Sequence, residues 1–320
     1  MKKFFKISLF TLLSIFAIGC KNKKNNQGLV SVNIAIQPSA AFIPMYIVRY
    51  EGLLEKSFKD KNINVVWQDF QSGPPINQSL SAQMSDIGLI GDVPTVSVLS
   101  GSIPMKIVGV PASGADAYAM LARADDKTFN SSADMKGKKI ATVFGSTGHN
   151  FTTKLLEKNN LSFSDIEFIS ISADEAEDAL RSNFCDAIVI WEPNVTRLID
   201  KGFAKIVASG SETDLRGTNA FVVRAEYLIK HREVIEEVLK QYANAVKMID
   251  TLDESTLQKL SVALKITPDQ IKSISKKYNF SVSVSEADKN SLQDTVRFLV
   301  EIENLPAVYN VSSKIDNVFN

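Results

Sequence analysis

Cysteine and histidine are nearly missing from this chain, with two of each in 320 residues. That excludes zinc clusters and disulfide scaffolds, which need their ligands and partners in sets. Neither sign of charge is in excess: Lys plus Arg number 36 and Asp plus Glu number 36. The basic surplus that phosphate contacts require is absent, so no nucleic acid is expected as a partner. No nucleophile-elbow context surrounds His149 or His231, and no Ser/His/Asp arrangement is visible. What remains is a 35.2 kDa chain, 45% hydrophobic and 22% charged. That is enough core for two domains, or for one two-lobed domain with a cleft, and excludes a disordered or polytopic membrane protein.

The beginning reads as an address. Lys2, Lys3 and Lys6 precede Ile7 to Ile18, apolar apart from Ser8, Thr11 and Ser14, and Gly19-Cys20 follows. A basic start, a short apolar stretch and a small residue make an export signal. The run from Phe4 to Ile18 is too short for a membrane-crossing helix of about 20 residues. Cysteine after a small residue resembles the lipobox of bacterial lipoproteins, in which the thiol is acylated and becomes the first residue; Ala17 stands where leucine is commonest. The expectation is a signal peptide over 1–19, lipidation at Cys20 and a flexible tether over 20–29, apolar-free from Lys21 to Gly28. Random-coil scaling puts the domain roughly 15 Å from the membrane, outside the cytoplasm. Cleavage leaves residues 20–320 with 33 basic and 36 acidic side chains, a net charge of −3. Cys185 then has no partner and reads as a buried structural thiol.

After the tether, strand and helix patterns alternate. Val30 to Gln37 reads as a strand that breaks at Pro38, and Phe42 to Lys56 has helical spacing. Ile63 to Trp67, Ile87 to Ile90, Met105 to Val110, Tyr118 to Ala122 and Lys139 to Val143 read as strands. Ile166 to Ser170, Ala187 to Ile190, Lys205 to Val207 and Ala220 to Arg224 continue the series, with helices between. Such repeats predict an α/β fold of largely parallel sheets covered by helices, in two lobes: 30–115 with 225–320, and 116–224. From Glu226 onward Val234, Ile235, Val238, Leu239, Tyr242, Val246 and Ile249 keep to one helix face. Thr267 reads as an N-cap ahead of Pro268, and Glu286 to Glu303 as another amphipathic helix. This tail is expected to be a structural layer on the first lobe.

In open parallel sheets a ligand sits beyond the carboxyl ends of the strands. Five loops there stand out: Gln37-Pro38-Ser39-Ala40, Ser72-Gly73-Pro74-Pro75, Gly91-Asp92-Val93-Pro94, Gly145 to Asn150, and Trp191-Glu192-Pro193. Glycines let main-chain amides approach a ligand, and helix starts bind anions without a formal cation. Each loop also has an ordinary reading. Gly145 to Asn150 (GSTGHN) is either a capped turn or a site; it matches neither G-x-G-x-x-G nor a phosphate loop. His149 is a capping or packing residue or a functional one, Asp92 a cap or an acceptor, and Trp191 core or cleft wall.

Taken together, Pro44-Met45-Tyr46 with Gly52, Ser72-Gly73-Pro74-Pro75, Asp86-Ile87-Gly88 with Gly91-Asp92-Val93-Pro94, Met135 to Ile140 and Trp191-Glu192-Pro193 resemble the sulfonate/nitrate/taurine family. These are substrate-binding proteins of ABC importers, and the resemblance covers roughly Val30 to Arg224. It implies a type II periplasmic-binding-protein fold, two mixed sheets flanked by helices about a central cleft. It also implies a monomer that closes on a small anion (an aliphatic sulfonate, taurine or nitrate) and delivers it to a permease and its ATPase. The site carried over by resemblance comprises Gln37, Ser39, Ala40, Phe42, Gly73, Gly91, Asp92, Val93, Gly145, Ser146, Thr147, His149, Trp191 and Glu192. No catalytic residue, cofactor or metal is implied. Family members often have Trp-Asp-Pro where this chain has Trp191-Glu192-Pro193.

On this reading the hydroxyls and amides of Ser39, Ser146 and Thr147 hold the sulfonate oxygens. Asp92 and Glu192, if they face the pocket, hold an ammonium and favour taurine. Related folds offer rivals. One is a binder of pyrimidine precursors of thiamine, with Phe42, Trp67, Phe70, Phe144 and Trp191 as an aromatic slot. Others are a cytosolic-type pyrimidine synthase, which needs clustered cysteines, and a sensor that passes its ligand to a receptor.

Overall fold

The computed structural model describes residues 29–318. The signal peptide, Cys20 and nearly all of the tether lie outside the described residues. The chain enters on β1 (Val30–Ile36), then runs through α1 (Ile43–Tyr50), α2 (Leu53–Phe58), β2 (Ile63–Asp69), α3 (Gly73–Ser81), β3 (Ile87–Gly91), α4 (Asp92–Leu99) and β4 (Met105–Gly109). Period-two patterning in β1 buries Val32 and Ile34, and its apolar end continues that burial through Ala35 and Ile36. β3 (IGLIG) is buried throughout because helices cover both of its faces.

A short β5 (Ala112–Ser113) leads into a second series. It comprises β6 (Tyr118–Arg123), β7 (Lys139–Thr142), α5 (Thr147–Lys158), β8 (Glu167–Ser170), α6 (Ala176–Arg181), β9 (Ala187–Trp191), α7 (Asn194–Asp200) and β10 (Ala204–Ser209). The chain returns on β11 (Asn219–Arg224) and finishes with α8 (Ala225–Lys230), α9 (Arg232–Met248), α10 (Glu254–Leu264), α11 (Pro268–Ser275), β12 (Asn279–Phe280) and α12 (Glu286–Glu301).

Two five-stranded sheets result, in the orders β2-β1-β3-β11-β4 and β10-β6-β9-β7-β8. Both are mixed. β1 runs parallel to β2 and β3, while β11 runs antiparallel to β3 and β4. β7 runs parallel to β8 and β9, while β6 runs antiparallel to β9 and β10. The two stretches between the sheets, 110–117 and 210–218, are tied where the Gly114 N–H donates to Arg216 O at 3.0 Å.

One boundary differs from the sequence reading, which grouped 116–224 in the second lobe. β11 crosses back and inserts between β3 and β4 of the first sheet. Its far end is held there by Arg224, which pairs with Asp86. The other oxygen of Asp86 accepts from Asn33 N (2.8 Å) and Asn33 Nδ2 (2.7 Å) on β1. The apolar run in Asn219–Arg224 fits either sheet; the Arg224–Asp86 pair selects the first.

The C-terminal helices pack on the first lobe, α9 against α1 and α12 against α4. Val234, Ile235, Val238, Leu239 and Tyr242 form the buried face of α9. α11 opens on a capping box in which Thr267 and Gln270 satisfy each other's backbone N–H groups, with Pro268 in the first turn.

Candidate functional site

Four helix starts meet where the two lobes face each other. Ser39 caps the turn leading into α1, Gly73 opens α3, Gly91 precedes α4, and Ser146 caps α5. All four residues line one cavity of about 20 Å³, together with Gln37, Thr147 and Trp191. Pro94, Tyr118 and Asn219 complete the wall. No lining residue carries a charged side chain, so whatever polarity the cavity offers comes from amides, hydroxyls and helix ends. The Oε1 atom of Gln37 is buried there without a hydrogen-bond partner.

The lobes are latched around this cavity by Asp92. Its Oδ1 accepts from the Thr147 hydroxyl at 2.5 Å, and its Oδ2 from Asn150 Nδ2 at 2.9 Å, both on α5 of the opposite lobe. Thr295 of α12 adds a third donor at 3.2 Å, and the Val93 N–H a fourth at 2.8 Å. A second crossing joins the Ala40 N–H to Glu192 O at 3.1 Å. Gly91 lies close against the opposite lobe: a Cβ there would stand 2.3 Å from Thr147 Oγ1. Its φ of −70° is open to any residue, so the need for glycine is one of space.

The expected site residues divide into two groups. Gln37, Ser39, Gly73, Gly91, Ser146, Thr147 and Trp191 come together at the cavity. Ala40, Phe42 and Val93 are core residues with no exposure, because each sits on the inward face of its helix start. Gly145 takes a left-handed turn (φ 70°) just outside. Two carboxyl groups are also placed differently from the expectation. Asp92 is turned into the latch, and Glu192 is wholly buried, accepting from Thr196 N and Oγ1 (3.0 and 2.8 Å) and pairing with Lys277. Neither faces the cavity, so the ammonium-holding role drawn from the sequence has no acidic group to carry it.

The hydroxyls are also more committed than the sequence suggests. Ser146 donates to Val143 O at 2.7 Å while accepting from the Gly148 N–H, and Thr147 donates to Asp92. The Ser146 N–H itself donates to Val143 O at 3.3 Å, so of those two residues only the Thr147 main-chain N–H at the start of α5 is left for an anion. A further hydroxyl on the wall is that of Tyr118, which sequence reasoning missed. It is buried beside the side chains of Thr147 and Asn219, and burial raises its pKa well above the usual phenol value, keeping the hydroxyl protonated. Asn219, also missed, lies directly opposite Gly91 in the β11–β3 register. The available signal was a polar residue opening an otherwise apolar strand.

His149 sits behind α5 among Phe144, Phe163, Phe168 and Phe298, with ring centroids 4.9–5.7 Å away. Burial pulls its pKa down to about 4, so it is a neutral packing group. The Cys185 thiol, buried under the second sheet, is pushed up to about 12. Neither lines the cavity, and no group of three His, Cys, Asp or Glu among the described residues is placed to hold a metal.

Trp191 also walls a second, larger cavity of about 230 Å³ further out in the cleft. There Pro38 and Gln71 of the first lobe and Asn194 and Arg197 of α7 line the wall, together with the exposed Lys265 at the end of α10. The C-terminal layer therefore contributes to the cleft as well as to the core.

The architecture, two mixed α/β lobes around a cleft of helix starts, is the periplasmic-binding-protein fold. The alkanesulfonate-binding protein of Xanthomonas axonopodis pv. citri, solved bound to MOPS, superimposes with a TM-score of 0.80 over 90% of this chain and 98% of that one, at 22% identity. The chain belongs to the NMT1/THI5-like family, whose profile matches residues 41–250. It is 29% identical over 222 residues to a putative aliphatic sulfonates-binding protein of Bacillus subtilis (strain 168), covering 69% of this chain and 66% of that protein. It is 24% identical over 219 residues to the taurine-binding periplasmic protein of Escherichia coli (strain K12), covering 68% and 65%. The alignment thus spans just under two thirds of either relative.

Proposed function

We propose that this chain is an extracytoplasmic solute-binding lipoprotein, anchored through Cys20, that captures an organic sulfonate between its lobes for an ABC importer. The observation that carries the reading is the meeting of four helix starts from two lobes in one cavity without a charged side chain. Such a site suits a tetrahedral oxyanion, whose three oxygens accept several main-chain and neutral side-chain donors. Each charge-assisted bond contributes about 1.5–3 kcal/mol, so a handful supports micromolar or tighter binding. Only the closed arrangement lets both lobes touch the ligand, so binding selects it, and the permease recognises that form. The names of the relatives support the sulfonate class.

With Asp92 and Glu192 turned away, the inner cavity gives taurine no advantage over a simple alkanesulfonate. Calorimetric titration of the purified chain with ethanesulfonate, taurine, nitrate and a thiamine pyrimidine precursor tests this. The expected result is micromolar binding of ethanesulfonate, with taurine equal or weaker. Tight binding of the pyrimidine and none of the sulfonates overturns it.

A further inference from the structure

The outer cavity differs from the inner one in its charge. The chain has eight arginines. Seven of them, Arg49, Arg123, Arg181, Arg216, Arg224, Arg232 and Arg297, are ion-paired with carboxyl groups. Among the described residues Arg197 alone has no such pair. It is half-buried in the last turn of α7 and lines the outer cavity. Lys265 faces the same space from a left-handed position (φ 56°) that ends α10, and it too has no carboxyl partner. Asp174 is the acidic group of this wall and is exposed, so the cavity keeps a cationic excess. A half-buried guanidinium without a counter-charge sits in an unfavourable setting that an incoming oxyanion relieves, and its planar fork suits a carboxylate.

The two cavities share Trp191, and Pro38 of the outer wall follows Gln37 of the inner one. A ligand whose head group sits among the helix starts therefore leads its tail past the Trp191 indole toward Arg197. We infer that the preferred ligand is a sulfonate whose organic tail ends in a carboxylate, held by Arg197 with Lys265 beside it. This rests on the sulfonate reading above and specifies the other end of the ligand.

The test is calorimetry on the full chain with three matched series of about two to five methylenes: alkanesulfonates, ω-carboxyalkanesulfonates and ω-aminoalkanesulfonates. At one chain length the carboxylate-ended compound is expected to bind at least about tenfold tighter than the methyl-ended one, and the amine-ended one no tighter. That ratio should shrink as salt is raised. It should fall to near one in Arg197→Gln and recover partly in Arg197→Lys. A wild-type ratio near one, a preference for the amine, or a ratio that survives Arg197→Gln overturns the inference while leaving the sulfonate reading intact. If no compound of any series binds, the sulfonate reading itself fails and this inference with it.

Discussion

The two halves of the cleft are built on opposite principles. At the inner end polarity is supplied by main chain and neutral side chains, locked in place by the buried Asp92 latch. At the outer end it is supplied by charged side chains on a helix turn and a loop, with Arg197 and Lys265 unpaired. The inner design recognises a chemical group and cannot be retuned without disturbing the fold. The outer design can change one side chain at a time. On the ligand reading proposed above, selectivity among sulfonates is expected at the outer end.

Changes at the inner end should weaken every ligand alike and reach into stability, and this contrast can be broken. The largest effect is expected from Asp92→Ala, which strands the Thr147 and Asn150 donors in a buried setting, while the Thr295 hydroxyl keeps Ser291 O at 3.0 Å. At about 1–3 kcal/mol for each of these two unpaired buried groups, stability by urea titration should fall by about 2–6 kcal/mol. Loss of affinity for only one sulfonate series would contradict the division of labour.

Next in size is the acid side of the stability profile. Native His149 protonates near pH 4 and the unfolded imidazole near 6.5, so between those values the unfolded chain holds more protons. Its contribution is complete above pH 6.5 and drains away as pH falls toward 4, by about 3 kcal/mol. His149→Phe, which keeps a ring among the phenylalanines, should flatten that slope; an unchanged slope assigns it elsewhere. The smallest effect is that of Gly91→Ala. Its Cβ collides with Thr147 Oγ1 only when the lobes are together. An overpacking cost of about 1–3 kcal/mol predicts about 5- to 150-fold weaker binding of all sulfonates. Small-angle scattering should then show the lobes held apart.

The inner cavity was largely readable from sequence, because the elements that build it are local. A glycine or hydroxyl between an apolar strand and a helix start drew notice to each loop without deciding its use; the family resemblance carried Ser39, Gly73, Gly91 and Ser146 over as site residues, and all four line the cavity. Residues that misled did so by facing. Phe42 and Val93 lie on helix starts that are buried on every side, where spacing does not tell inward from cleftward. The carboxyl groups of Asp92 and Glu192 were legible as present but not as spoken for, since their partners Thr147, Thr295 and Lys277 are 55, 203 and 85 residues away. The same distance hid the outer cavity, where Lys265 lines one space with Trp191 and Arg197. β11 went to the wrong lobe because an apolar strand does not name its neighbours.

The meeting of four helix beginnings carries one more consequence. The starts of α3, α4 and α5 each bring up to roughly half a positive elementary charge, and Asp92 offsets only part of the total. On the proposed reading, an anionic cargo also offsets these like-signed ends, adding to the Asp92 latch as the jaws shut. A neutral look-alike of the same shape would fit and still leave the trap unsprung.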